Sequence, residues 1–215
     1  MATREVTVKN PGLPFSRKIN TAGGSGETYS MPADVAVTGE VTPSGGLGGA
    51  ALATGAGVGI TAGVGTVISS EITKVGKKIT TEVYIDLTGL HSATTLLDII
   101  GVEGVGVAFL GQIITAESGA LYAGTMRCLE APLTGVNDID LYSAVEATGV
   151  EDTGIALLTQ TALLGAASAW TLNEVQALTA LPAANEYLYL CVGVAGTVGV
   201  YTAGKFLITL EGYEA

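Results

Sequence analysis

Hydrophobic and polar residues alternate most regularly from Ile79 to Leu87. Ile79, Thr81, Val83, Ile85 and Leu87 share one face, and Thr80, Glu82, Tyr84 and Asp86 share the other. A period of two built from β-branched and aromatic residues predicts a strand with one face in a core. Residues 67–75 predict another strand, and Val75-Gly76-Lys77 a short glycine turn that folds the two into a hairpin. Alternation returns near the far end. Leu188, Leu190, Val192 and Val194 interleave with Tyr187, Tyr189 and Cys191, and Phe206, Ile208 and Leu210 with Lys205, Leu207 and Thr209. The glycine-rich connector from Gly196 to Gly204 joins these runs, so a second antiparallel pair is expected to close the domain.

Between the two pairs the pattern predicts strands over 96–100, 105–115 and 121–129, the last broken by Glu130-Ala131-Pro132. Residues 155–164 are the best helix candidate, since Leu157, Leu158, Ala162 and Leu164 cluster and Gly165 can end the helix. Thr171-Leu172-Asn173-Glu174 fits a capping box, although Trp170 and Leu172 suit the start of a strand equally well. The expected fold is all-β: an antiparallel β-sandwich or jelly roll with at most one or two short helices and an extended N-terminal arm. Residues 1–45 make the arm and 46–215 a single β-sandwich domain. In the arm Pro11, Pro14, Pro32 and Pro43, with Gly23-Gly24-Ser25-Gly26, interrupt every periodic pattern before it reaches strand length. Val6-Thr7-Val8 and Val35-Ala36-Val37 are each expected to add a short edge strand. The arm is expected to be ordered by lying across a neighbour, because Leu13, Phe15 and Ile19 otherwise have no apolar partner.

Composition sharpens this picture in two ways. Hydrophobic residues are 48 % of the chain but charged residues only 13 %, and there are 31 glycines. Glycine weakens helix interiors, so this mixture favours short strands and tight turns. A weakly charged surface suits a subunit that buries area against partners, hence a homo-oligomer, a trimer or larger. Charge is also uneven. Residues 1–78 carry seven Lys/Arg and five Asp/Glu, whereas 79–215 carry two and fifteen. A net charge of −11 speaks against the body gripping nucleic acid, which needs Lys and Arg to neutralise phosphate. Arg4, Lys9, Arg17 and Lys18 in the arm are expected to pair with carboxylates on an acidic protein partner, beside apolar contacts from Leu13, Phe15 and Ile19. No charge occurs from Val41 to Ser70, but nine glycines interrupt that span, so no membrane crossing is expected. Met1-Ala2-Thr3-Arg4-Glu5 leads into polar sequence without an apolar signal core, and accumulation in a cytoplasm is expected.

Candidate chemistry is sparse. Gly57-Val58-Gly59-Ile60-Thr61-Ala62 mimics a dinucleotide-binding motif, but that motif needs a strand turning into a helix, and the residues after it continue in β fashion. His91, the only histidine, falls in a polar loop and is expected at the surface. Asp138, Asp140 and Tyr142 share a strand face; this run lacks the glycine turn and terminal glutamate of a helix-flanked calcium loop and reads as solvated. Glu151-Asp152 reads as an ordinary turn. Cys128 and Cys191 lie in strand-like runs and are expected to be buried and unpaired. No catalytic, cofactor-binding or metal-binding residue is expected.

A resemblance adds to this reading. Four strings carry it: Ile79-Thr80-Thr81-Glu82-Val83-Tyr84-Ile85-Asp86-Leu87-Thr88-Gly89-Leu90, Cys128-Leu129-Glu130-Ala131-Pro132, Asp138-Ile139-Asp140-Leu141-Tyr142-Ser143 and Pro182-Ala183-Ala184-Asn185-Glu186-Tyr187-Leu188-Tyr189-Leu190. Together they resemble segments of virion structural proteins of tailed bacteriophages, especially marine and cyanobacterial ones, in the same order over about residues 60–213. The resemblance implies a virion component, a decoration (cement) subunit on the outside of the phage head whose partner is the major capsid protein. It implies no catalytic residue. A head-fibre or tail-associated receptor-binding module would share the β-rich composition, and a glycan-active enzyme would need two carboxylates facing each other across a cleft.

Overall fold

The computed structural model describes two short strands, β1 (Glu5–Val8) and β2 (Arg17–Asn20), and residues 49–214 apart from 166–168 and 197. By contacts the chain divides into Met1–Ser44 and Gly45–Ala215. In the first unit β1 and β2 pair antiparallel, Glu5 opposite Asn20 and Val8 opposite Arg17. The expected strand at Val6–Val8 thus has its partner in a segment the pattern did not mark as a strand. Arg4, Lys9, Leu13, Phe15 and the expected strand at Val35–Val37 lie outside the described residues.

The second unit is an antiparallel β-sandwich. Its leading hairpin is as expected: β3 (Val67–Val75) pairs with β4 (Lys78–Asp86), Val75 opposite Lys78, around Gly76-Lys77. Gly76 has φ +62°, as the first residue of a two-residue hairpin turn requires. Along β4 buried and half-buried residues alternate, with Val83 and Ile85 in the core. The strand beside β4 is β13 (Ala203–Tyr213), then come β7 (Ala120–Leu133) and the short β10 (Val175–Ala177), giving the order β10-β7-β13-β4-β3. β7 runs through the expected break at Glu130–Pro132. Its pairing with β13 slips between Ala203 and Lys205, and the irregular ladder there accommodates a proline that cannot donate a hydrogen bond.

A second sheet has the order β6 (Gly111–Ile113), β11 (Glu186–Val192), β8 (Ile139–Ala144), β9 (Gln160–Leu164). β11 and β13, expected to pair with each other, belong to different sheets. The connector between them carries the chain across, with β12 (Gly199–Val200) pairing with β5 (His91–Ser92) on the way. Buried side chains from both sheets form one contiguous core, including Met126, Phe206 and Ile208 from the first and Leu141, Leu188 and Leu190 from the second.

Helices are few and not where expected. α1 (Val58–Thr61) and α2 (Thr115–Ser118) are single turns. Residues 155–164 are not a helix: a 3-10 turn at Ile155–Leu157 leads into β9, whose Leu164 pairs with Leu141 and is buried. At Thr171 the capping contact does form, with the Thr171 N–H and Oγ1 both donating to Glu174 Oε2 at 2.9 Å. Asn173, at φ +67°, turns the chain out of the helical path and into β10. The expected strands over 96–100 and 105–115 reduce to isolated bridges and β6, with Leu97 in left-handed backbone at φ +69°. Among the described residues no helix is long and apolar enough to cross a membrane.

Candidate functional site

Gly57 and Gly59 have a structural purpose. α1 (Val58–Thr61) lies inside the nucleotide-like motif, and the residues after it, expected to continue as β structure, turn before β3 begins at Val67. The Gly57 N–H donates to Phe109 O at 2.9 Å and the Gly59 N–H to Val107 O at 2.7 Å. A Cβ on Gly57 would fall 2.3 Å from Val107 O, so the glycines admit the 105–109 backbone rather than a phosphate. His91 is half-buried in β5, with Nδ1 3.7 Å from Glu103 Oε2, and not a surface loop residue.

Asp138 and Asp140 depart furthest from the sequence reading. Both are buried, and so is Tyr142 beside them. β8 and most of β11 are buried on both faces. The face bearing Tyr189 and Cys191 is covered by loops: the Tyr189 hydroxyl donates to Glu146 O at 2.7 Å, and Phe109 packs against Tyr187 and Tyr189 at centroid distances of 4.9 and 6.4 Å. A polar alternation that looks solvated in sequence is therefore roofed by distant segments. Asp138 Oδ1 is buried without a hydrogen-bond partner, and burial raises the pKa of its carboxyl. Across the ladder, the Gly193 N–H donates to Asp138 O at 2.8 Å. A Cβ placed on Gly193 would fall 2.5 Å from Asp138 Oδ1 and 2.9 Å from Asp140 Oδ1. Two carboxylates thus converge on a niche that exists because residue 193 has no side chain.

A second acidic group surrounds Glu151. Its carboxyl is pushed up to about 7 by burial and by the charges of Asp152, Glu103 and Asp98. Glu186, by contrast, is buried with its Oε2 doubly engaged, accepting from Ser143 Oγ at 2.6 Å and from the Ala183 N–H at 2.8 Å. A groove of about 590 Å³ lies between β3 and α2, lined by Ile72, Ile79, Ala116, Lys74, Glu117 and Glu214 among others. Its carboxylates hold the chain together: Glu214 pairs with Lys74, and Glu117 accepts from the Ala53 N–H at 3.2 Å. Among the described residues no group of three or more His, Cys, Asp or Glu side chains is placed to hold a metal ion. Cys128 and Cys191 are buried and free, as expected, and burial raises both thiol pKa values.

One surface stands out by what it exposes. Adjacent loops link 64–66, 88–97, 133–136 and 193–202: Thr66 Oγ1 donates to Thr88 O, the Gly89 N–H to Tyr201 O, the Thr202 N–H to Leu133 O and the Gly196 N–H to Thr94 O. Val64, 88 % exposed, Leu96, Leu133, Val194, Val198 and Val200 all project from this end into solvent. The sequence reading missed it because the residues are scattered over some 140 positions: Val64, Val198 and Val200 lie in glycine-rich runs, and Leu96 and Val194 in runs expected to be strands. The only signal was the presence of large aliphatics such as Val64 and Val198 among glycines, outside any strand. Of the arm residues singled out, Arg17, Lys18 and Ile19 lie on β2 and the other four outside the described residues. The chain matches no family model, and neither the curated proteins nor the solved structures include a match to it.

Proposed function

We propose that this chain is a structural virion protein, a decoration subunit that sits as a homo-oligomer, a trimer, on the outside of a phage head and stabilises it. The observation that carries the reading is the aliphatic end of the sandwich. Six large exposed apolar side chains on adjoining loops are a solubility hazard for a lone domain and a natural contact for a neighbouring copy or a capsid lattice. The sequence resemblance to phage virion proteins supports the same assignment and names the major capsid protein as the partner. A body with fifteen Asp/Glu and two Lys/Arg after residue 78 gives little reason to seek nucleic acid as a ligand. The N-terminal unit is the attachment element in this reading, with Arg4, Lys9, Arg17 and Lys18 facing acidic groups of the lattice and Leu13, Phe15 and Ile19 supplying apolar contact. Exposed ion pairs contribute only about 0–1 kcal/mol each, so apolar contact and the avidity of several arms carry the binding.

Two measurements test the proposal. Light scattering coupled to size exclusion on the full chain is expected to give a trimer, and Leu133→Glu with Val200→Glu is expected to shift it to monomer. Deleting residues 1–44 should leave the circular dichroism of the body unchanged and strongly reduce co-sedimentation with capsids. A wild-type monomer at tens of micromolar, an order-of-magnitude concentration for specific interfaces, or undiminished capsid binding by the truncated chain, would overturn it. Density at a fibre or tail position in micrographs of the particle would instead assign a receptor-binding module.

A further inference from the structure

The niche at Gly193 has the form of a ligand site rather than of a packing defect. Asp138 is only 9 % exposed and its Oδ1 has no protein partner. A buried carboxylate left so costs several kcal/mol unless it is neutralised or paired. Such groups are otherwise protonated or paired in folded proteins. Asp138 leans toward a second carboxylate, since one point in space lies within 3 Å of both Asp138 Oδ1 and Asp140 Oδ1. That point is the vacant Cβ position of Gly193. Asp140 lies on β8 and Asp138 immediately precedes that strand, and the bond from the Gly193 N–H to Asp138 O fixes the spacing. Gly193 itself is partly exposed and Gly165, whose own Cβ position lies 4.0 Å from Asp140 Oδ2, is exposed, so the niche opens to solvent.

We infer that Asp138 and Asp140 bind a hard divalent cation, Ca²⁺ in preference to softer metals, in the niche over Gly193. Both side-chain donors are carboxylate oxygens, the ligands a hard cation prefers. Water and main-chain oxygens complete a shell that Ca²⁺, with its tolerant geometry of six to eight oxygens, accepts more readily than Mg²⁺. Cys191 is opposite Asp140 in the ladder and fully buried, and the two side chains that converge on the niche are both carboxylates, the donors a hard cation prefers. With two carboxylates only, the affinity belongs in the range of about 10⁻⁴–10⁻³ M. Bound, the ion would tie the start of β8 to the end of β11 and brace one end of the second sheet.

The single tryptophan makes the site measurable. Trp170 donates from its backbone N–H to Asn137 O at 3.0 Å and from Nε1 to Ile139 O at 2.8 Å, so it brackets Asp138. Terbium, a luminescent stand-in for Ca²⁺, is expected to emit on selective excitation of Trp170 and to be displaced by Ca²⁺. Ca²⁺ at about 10 mM is expected to raise the melting temperature of the full chain by about 3–10 °C over an ionic-strength-matched control. Asp138→Asn should abolish both effects, and Gly193→Ala, which fills the niche, should do the same through a different residue. Absent terbium emission from wild type, a melting temperature indifferent to Ca²⁺, or a Ca²⁺ shift that survives both substitutions would overturn the inference. The wild-type titrations decide the matter even if a variant fails to fold.

Discussion

Replacing Glu151 by Gln should stabilise the fold at alkaline pH and leave it nearly unchanged in mild acid. Glu151 is half-buried beside Asp152, Glu103 and Asp98, and these with its burial push its carboxyl from 4.5 up to about 7. Among the described residues no cation pairs with it. The folded state holds the Glu151 proton more tightly than the unfolded chain does. Stability is therefore greatest below about pH 4.5 and declines as pH rises from there to about 7, after which the loss is complete. A shift of this size corresponds to an upper bound of about 3.4 kcal/mol at about 1.36 kcal/mol per pH unit. Solvent reaches the group, so screening reduces the expected effect to about 1–2 kcal/mol. Gln keeps the shape and abolishes the charge. Urea unfolding followed through Trp170 fluorescence at pH 5.5 and 8 gives both stabilities. Other carboxyls, Asp138 included, impose their own pH dependence on both proteins, so the informative quantity is the difference between wild type and variant. Because part of the loss has already occurred at pH 5.5, that difference should change by about 0.6–1.2 kcal/mol in favour of Gln between the two pH values. Parallel pH dependences would show that the acidic neighbours of Glu151 do not act on it in the folded state.

Phe206 is fully buried on β13 and meets Trp170 edge-on at 5.3 Å and 77°; Phe206→Ala should cost about 3–5 kcal/mol in urea unfolding, and a loss under about 1 kcal/mol would place it outside the core. The buried Tyr201 hydroxyl donates to Val136 O at 2.7 Å, so Tyr201→Phe should cost about 1–3 kcal/mol by stranding that carbonyl, measured the same way. Thiol titration should find few reactive groups in the native protein and two, Cys128 and Cys191, after denaturation; recovery of both only after reduction would contradict the free, buried state. Gly199→Ala would place a Cβ 2.0 Å from Thr134 O, so circular dichroism melting should fall by several degrees; an unchanged curve would mean that the loop end adjusts freely.

What was legible in the sequence was whatever depended on local period. The β3–β4 hairpin followed from alternation and Gly76, and the interior positions of β11 and β13 from theirs. Sheet membership was not legible, because Leu190 and Ile208 alternate alike whichever neighbour they pair with. Residues 155–164 misled for a related reason: clustered leucines suit a helix face, but Leu157 is exposed while Leu163 and Leu164 are buried in β9 beside β8. Tertiary pairing decided what propensity left close. Asp138 and Asp140 misled because polar alternation marks a wet face only if nothing folds over it. The sequence near β8 contains no sign that the loops around Phe109 and Gly149 will cover that sheet. The exposed aliphatic end was hidden for the opposite reason, since apolar residues among glycines look like packed turns until their neighbours are known.

The order β10-β7-β13-β4-β3 has a kinetic consequence. β4 and β7 lie on either side of β13 and do not pair with each other. While the chain is being made, both emerge long before the strand that joins them; β4 waits with one hydrogen-bonding edge open, and β7 with both until β10 is made. The first sheet cannot close until residue 213 is available, about 80 residues after the end of β7. Early folding is therefore confined to hairpins such as β3–β4, and the interval in which bare edges of neighbouring nascent chains can find one another is set by synthesis rather than by folding. Slowing translation between β7 and β13 should raise the aggregated fraction more than slowing it anywhere upstream of β4.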